Sequence, residues 1–241
     1  MLHGMGAHTH WWDAAAPLLR EKFKVIAMDL RGHGNSDWTD PPAYQVADYA
    51  ADIDAVRAHF GWDRFFLAGH SMGARASIYY ASRFPHRVKR LAALDFLTSI
   101  SVKSHEKYER KMKRRQPTYS SKDRMIENFH LQPRGTLLSA DELRKIAEMS
   151  VRTLDNGRFT WKFDWRAFFF EYSPIWEDTP AIDAPSLILR GEHSTVMSQE
   201  DFKKVLGALK NGTGTVLPGT YHHISLDAPE AVAAALCDFG D

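Results

Sequence analysis

Two short stretches of this chain carry side chains whose types and spacing suit covalent chemistry. One is Gly69-His70-Ser71-Met72-Gly73, a G-x-S-x-G pentapeptide, and the other is the adjacent imidazole pair His222-His223. An alcohol becomes a useful nucleophile when a neighbouring base takes its proton, and imidazole is the side chain that exchanges protons near neutral pH. The pentapeptide also has the right surroundings. Phe65-Phe66-Leu67-Ala68 is a short apolar run of the buried-strand type, and Ala74 to Phe84 carries apolar residues at helical spacing. A strand, a serine and a helix in that order predict a sharp turn that lifts the Ser71 hydroxyl above a sheet edge. Glycines flank it because chain segments nearly touch there. A purely structural serine is the competing reading, and the strand–helix context favours the nucleophile.

Three further segments bear on Ser71: His3-Gly4-Met5-Gly6, Asp29-Leu30-Arg31-Gly32-His33-Gly34-Asn35-Ser36 and Pro218-Gly219-Thr220-Tyr221-His222-His223. In this order they resemble the α/β-hydrolase fold, in its lidded branch of serine esterases, lactonases and carbon–carbon bond hydrolases. The resemblance covers nearly the whole chain and is least specific between about Leu97 and Trp176. It implies Ser71 as nucleophile and a histidine later in the chain as general base. The first histidine of such a pair is the family's base, which points to His222 over His223. It also implies an oxyanion hole made by two backbone N–H groups, those of Met5 and Met72. The Met72 amide opens a helix, where unpaired N–H groups and the helix dipole favour negative charge. His3 and His33 are expected to shape their loops. His8 and His10 lack the Cys, Asp or Glu spacing of a metal site, and no metal or organic cofactor is implied.

The third catalytic group departs from the usual pattern. Relatives place an aspartate a few residues after the strand read here as Ser186 to Leu189, but Gly191-Glu192-His193-Ser194-Thr195 puts Thr195 at that position. Threonine cannot carry the negative charge that steadies an imidazolium. Two carboxylates can substitute. Asp95 follows the strand pattern Val88 to Leu94, and Glu192 lies near the usual site with a longer reach. The short side chain of Asp95 at the correct sheet edge makes it the preferred acid, with Glu192 the alternative.

The elements that must position these groups alternate along the chain. Trp11 to Leu19 reads as a helix, Phe23 to Met28 as a parallel strand, and Val46 to Phe60 as a helix stopped by Gly61. The turn at Ser71 and the strand Val88 to Leu94 follow. Later come Ser186 to Leu189, a helix with Phe202, Val205, Leu206 and Leu209, the strand Gly214 to Leu217, and a last helix from about Pro229 through Leu236. Asp227 and Glu230 have the spacing of a capping pair there. This predicts an α/β fold with a mostly parallel, doubly wound sheet. Residues 1–96 and 177–241 form its core. Residues 97–176 lose the strand signal and read as a helical lid inserted after the family's sixth strand. Its first helix is basic (Lys107, Arg110, Lys111, Lys113, Arg114, Arg115), read as a solvated face. Its end is aromatic (Trp161, Phe163, Trp165, Phe168, Phe169, Phe170, Tyr172, Trp176), read as packing against the core with some residues left to line an acyl pocket. Only Met1 and Leu2 precede the His-Gly turn, so the expectation is that N-terminal strands are missing and that about thirty further residues lie upstream.

Composition narrows the function further. At 241 residues the chain can bury one substantial core. With 31 Lys and Arg against 30 Asp and Glu, no bulk charge favours nucleic acid or an anionic membrane. One cysteine, Cys237, rules out an internal disulfide and is compatible with a reducing, cytoplasmic setting. No stretch approaches membrane-spanning length. The expected activity is hydrolysis of small to medium apolar carboxylic esters through an acyl-enzyme, by a monomer or homodimer. A lactone, such as an acyl-homoserine lactone, is the alternative substrate. A non-enzymatic small-molecule receptor on the same scaffold is the alternative of another class.

Overall fold

The computed structural model describes residues 1–99, 106, 110, 114–168 and 174–240. Its centre is a four-stranded sheet of β1 (Phe65–His70), β2 (Val88–Leu94), β5 (Ser186–Gly191) and β6 (Gly212–Leu217), in the spatial order β1-β2-β5-β6. Every pairing in it is parallel. Both faces are covered, and the strand residues sort accordingly. Leu67, Leu91, Ala93 and Ile188 enter one apolar cluster, with α2 (Val46–His59), α3 (Met72–Arg83) and α6 (Gln199–Ala208). Ala68, Ala92, Leu94, Leu187 and Leu189 enter the other, with α1 (Ala16–Leu19) and α7 (Pro229–Gly240). The period-two alternation of a strand thus divides one sheet between two cores, and explains why residues 65–68 of β1, 91–94 of β2 and 187–189 of β5 are apolar on both faces.

Several expected elements form where the periodicity places them, with shifted ends. The helix after the serine starts at Met72 and the last helix at Pro229. In α2 the side chains of Val46, Tyr49, Ala50 and Ile53 are buried, while Phe60 falls outside the helix and is exposed. The stretch Trp11 to Leu19 is not one helix. A 3-10 turn over Thr9–Trp12 precedes the four residues of α1, which Pro17 opens.

The expected strand at Phe23 to Met28 does not form a ladder. Only Met28 bridges, to Leu2, which bridges Gly69 of β1 on its other side. A strand needs a partner along its length, and here the partner is a single residue. Beside this segment and the first half of β1 lies a largely apolar cavity of about 310 Å³, lined by Leu2, Val25, Ile26, Phe65, Phe66 and Leu67 among others. It sits at the opposite end of β1 from Ser71.

The region between β2 and β5 also departs from expectation. It contains α4 (Lys122–Glu127) and α5 (Ala140–Met149), but also an antiparallel hairpin of β3 (Val151–Thr153) and β4 (Phe159–Trp161). Asp155-Asn156-Gly157 turns it, with Gly157 at φ 75°, a conformation glycine adopts without steric cost. β4 contributes Trp161, and Phe163, Trp165, Phe168 and Trp176 pack with it on the core. Phe169, Phe170 and Tyr172 lie outside the described residues, as do Lys107, Lys111 and Lys113 of the expected basic helix. Arg110, Arg114 and Arg115 are exposed. Among the described residues, no helix is long and apolar enough to cross a membrane.

Candidate active site

The turn between β1 and α3 holds Ser71 at φ 53° and ψ −115°. That positive φ is rare for a residue with a Cβ, and such strain persists only where the surroundings enforce it. They do so through close backbone approach. A Cβ on Gly69 would strike the Gly73 carbonyl, and one on Gly73 would lie 2.6 Å from the His3 carbonyl oxygen. The Ser71 N–H donates to the Leu94 carbonyl at 2.9 Å and the Gly73 N–H to that of His3 at 3.1 Å. The serine is thereby pinned to β2 and to the His3-Gly4 turn together.

His222 reaches Ser71 from the loop after β6. Its Nε2 lies 3.2 Å from Ser71 Oγ, and its Nδ1 lies 2.7 Å from Asp95 Oδ1. Asp95 directly follows β2 at φ 36° and is fully buried. Its backbone N–H donates to Leu189, so β5 sets its height. Besides the imidazole, the carboxylate accepts the Ser194 hydroxyl at 2.6 Å and the Gly191 N–H at 2.8 Å. Burial pushes Asp95 up to about 6 even though Ser194 and Gly191 both donate to it. Burial also pushes His222 well down, so its imidazole is neutral at pH 7. With Nδ1–H directed at Asp95, Nε2 presents its lone pair to the serine hydroxyl, the tautomer that a proton acceptor requires.

Glu192 is not part of this arrangement. Its carboxylate is half-exposed and accepts the Gly219 N–H at 2.7 Å. Thr195 is exposed, while its neighbour Ser194 is buried against Asp95. His223 points elsewhere, its Nε2–H donating to the Pro133 carbonyl at 2.8 Å.

Met5 and Met72 supply the two backbone amides expected to face an oxyanion. Met72 is the first residue of α3, and neither amide has an acceptor among the described residues. A Cβ on Gly4 would lie 3.1 Å from Ser71 Cβ, so the His3-Gly4-Met5 turn runs beside the serine. His3 orients that turn. Its Nε2 accepts the Leu30 N–H at 3.0 Å, leaving Nδ1–H to donate to the Gly4 carbonyl at 2.7 Å. The Gly4 carbonyl and the Met5 N–H belong to one planar peptide, so holding one fixes the direction of the other. His33 likewise shapes its loop, donating from Nδ1 to the Arg31 carbonyl at 3.0 Å. His8 binds Ser150 and His10 binds Asp13, so these two serve separate local contacts.

Two supports of the site are not marked as such by any pattern in the sequence. Ser194 holds Asp95 without belonging to any recognisable pattern. Asp227, expected as a helix cap, instead accepts the Tyr221 N–H on one oxygen and Thr136 Oγ1–H with the Leu137 N–H on the other. It therefore ties the loop carrying His222 to the segment between β2 and β5.

Residues 1–229 match the family described as the α/β hydrolase fold. The chain belongs to the α/β-hydrolase fold family. It is 27% identical over 245 residues to a 2-(acetamidomethylene)succinate hydrolase of Mesorhizobium japonicum, a match covering 99% of this chain and 86% of that protein. An esterase of Mycobacterium tuberculosis is 25% identical over 237 residues, covering 96% of this chain and 78% of its own. Among solved structures, an E-2-(acetamidomethylene)succinate hydrolase superposes with a TM-score of 0.84 at 26% identity, covering 100% of this chain and 90% of that one. Relatives named as hydrolases and esterases support a general hydrolase activity for this member of the family.

Proposed function

We propose that this α/β hydrolase is a serine carboxylic-ester hydrolase that acts on small to medium apolar esters through an acyl-enzyme. The observation that carries this reading is the continuous contact from Ser71 Oγ to His222 Nε2 at 3.2 Å and from His222 Nδ1 to Asp95 at 2.7 Å. Ser71 Oγ attacks the acyl carbon while His222 Nε2 takes the hydroxyl proton. The carbonyl oxygen becomes an oxyanion facing the amides of Met5 and Met72. As the tetrahedral intermediate collapses, His222 returns the proton to the departing alkoxide, and the alcohol leaves. A water then attacks the acyl-enzyme, giving one proton to His222. Collapse releases the carboxylic acid and restores the Ser71 hydroxyl with that proton. Asp95 keeps its charge throughout, fixing the tautomer and balancing the transient imidazolium.

Residues 97–176 act in this reading as a lid, with Trp161, Phe163 and Trp165 packing it on the core. A lactone fits the same machinery, because ring opening differs only in keeping the leaving alcohol tethered. The Mesorhizobium relative brings a third class to test, since the compound in its name carries two carboxylates and an acetamido group.

A fluorophosphonate probe followed by peptide mapping tests the covalent step, with labelling of Ser71 and none in Ser71→Ala as the expected result. Initial rates on p-nitrophenyl esters, acyl-homoserine lactones and acetamidomethylene succinate then rank the substrate classes. A folded protein that neither labels nor turns over any ester above the Ser71→Ala control would overturn the enzyme reading and favour a receptor.

A further inference from the structure

His70, His222 and His223 are all buried, and one ring nitrogen of each lies within 4.8 Å of the others. Their hydrogen bonds fix where the protons sit. The His70 Nε2–H donates to the His222 carbonyl at 2.9 Å, and the His223 Nε2–H donates to the Pro133 carbonyl at 2.8 Å. A carbonyl can only accept, so Nδ1 of each ring is left as a bare lone pair. Both Nδ1 atoms are buried without any hydrogen-bond partner. The third ring, His222, donates Nδ1–H to Asp95 and keeps its Nε2 lone pair toward Ser71. Each imidazole therefore has one N–H engaged by a carbonyl or carboxylate and one unprotonated nitrogen, without a partner in His70 and His223 and facing the Ser71 hydroxyl in His222. That is the outer-shell arrangement of metal-ligating histidines, in which the hydrogen bond sets the tautomer and raises ligand basicity.

We propose that these three histidines form an inhibitory transition-metal site, taking a divalent ion of the zinc, copper or nickel type. An all-imidazole set suits these borderline ions and not calcium or magnesium, which take oxygen ligands. Asp95, hydrogen-bonded to His222, supplies one compensating negative charge. Zinc–nitrogen bonds of about 2.0–2.1 Å require donor atoms roughly 3.4 Å apart, so the rings must draw together from their present spacing. His222 is held to Asp95 at 2.7 Å and to Ser71 at 3.2 Å, so drawing its Nε2 toward the other two rings gives up the longer contact and keeps the shorter. Binding the ion with Nε2 removes the base from the serine hydroxyl. The inhibitory half of the proposal rests on Ser71 and His222 acting as nucleophile and base, whereas the binding half does not.

Equilibrium dialysis of the chelator-treated protein against Zn²⁺, with Co²⁺ absorption as the spectroscopic reporter, reads binding directly. One ion per chain is expected, with a tetrahedral cobalt spectrum, and His223→Gln and His70→Asn should each weaken affinity by at least tenfold. The phosphonate labelling rate of Ser71 should fall at least tenfold at saturating Zn²⁺ and recover with EDTA. Binding unaffected by either substitution in folded protein, or no ion bound in the wild type, overturns the site. An ion that binds through His70 and His223 while labelling proceeds undiminished overturns the part assigned to His222. Wild-type protein that binds Zn²⁺ but never labels leaves the metal site standing and sinks the esterase reading instead.

Discussion

At the scale of single residues, the site turns on how a buried carboxylate is kept ionised. Asp95 has burial against it and three donors for it: His222, Ser194 and Gly191. Protonation near 6 would neutralise the group that, in the proposed mechanism, balances the imidazolium. If Asp95 serves as proposed, the charged form is the active one, and kcat/KM should fall as pH drops through about 6 and level off above it. A pH–rate profile on a non-ionisable ester checks this, and a flat profile from pH 5 to 8 would refute it. Ser194 favours the ionised form, so Ser194→Ala should move this limb upward by about one pH unit, given that a hydrogen bond to a charged group is worth ~1.5 kcal/mol or more. Asp95→Asn should lower kcat by about 10³–10⁴ through the wrong imidazole tautomer, whereas Glu192→Gln, whose carboxylate serves Gly219, should stay within about twofold. Asp95 could be anticipated because it ends an apolar strand run. Ser194 could not, because its role depends on the β5 loop folding back over Asp95, which no local pattern records.

At the scale of elements, strong periodicity and turn chemistry were legible where an element is stabilised by its own apolar face. The serine turn, α3 and the parallel strands β2 and β5 all meet that condition. The Phe23 to Met28 segment does not, because a strand is completed by its neighbour and a sequence run cannot report whether the neighbour is there. The β3–β4 hairpin is not legible for a related reason: three-residue strands are too short to show alternation. Asp227 illustrates a further limit, since its spacing to Glu230 suggested a cap while its oxygens hold Tyr221, Thr136 and Leu137. This carboxylate links the loop of His222 to the inserted segment. Asp227→Ala should therefore cost about 1–3 kcal/mol, because it strands partly buried donors. It should also lower kcat by loosening the loop that carries His222, the proposed base. Urea unfolding and steady-state kinetics on the same variant separate the two effects. A loss of stability with kcat unchanged would show that the loop holds its shape without this tie.

At the scale of the whole molecule, the parallel sheet gives its two ends different work. The carboxyl ends of β1, β2, β5 and β6 deliver Ser71, Asp95, Gly191 and the loop of His222 to one edge, as expected for ligand sites in open parallel sheets. The other end of β1 borders the 310 Å³ apolar cavity. Leu2 is the residue that joins the two regions. It is buried, bridges Met28 and Gly69, and precedes His3-Gly4-Met5. Leu2→Ala should cost about 2–5 kcal/mol as a large-to-small core change. It should also reduce kcat, because the main-chain contacts that position the Met5 amide run through the same residue: Leu2 N–H to Ala68, and His70 N–H to Leu2. Val25→Ala, on the cavity wall and remote from Ser71, should cost about 1 kcal/mol and leave kcat as it was. Thermal unfolding and single-turnover kinetics on the two variants provide the comparison. Equal effects on kcat would mean that the cavity and the serine edge are coupled through the sheet, and that the division of labour between its two ends does not hold.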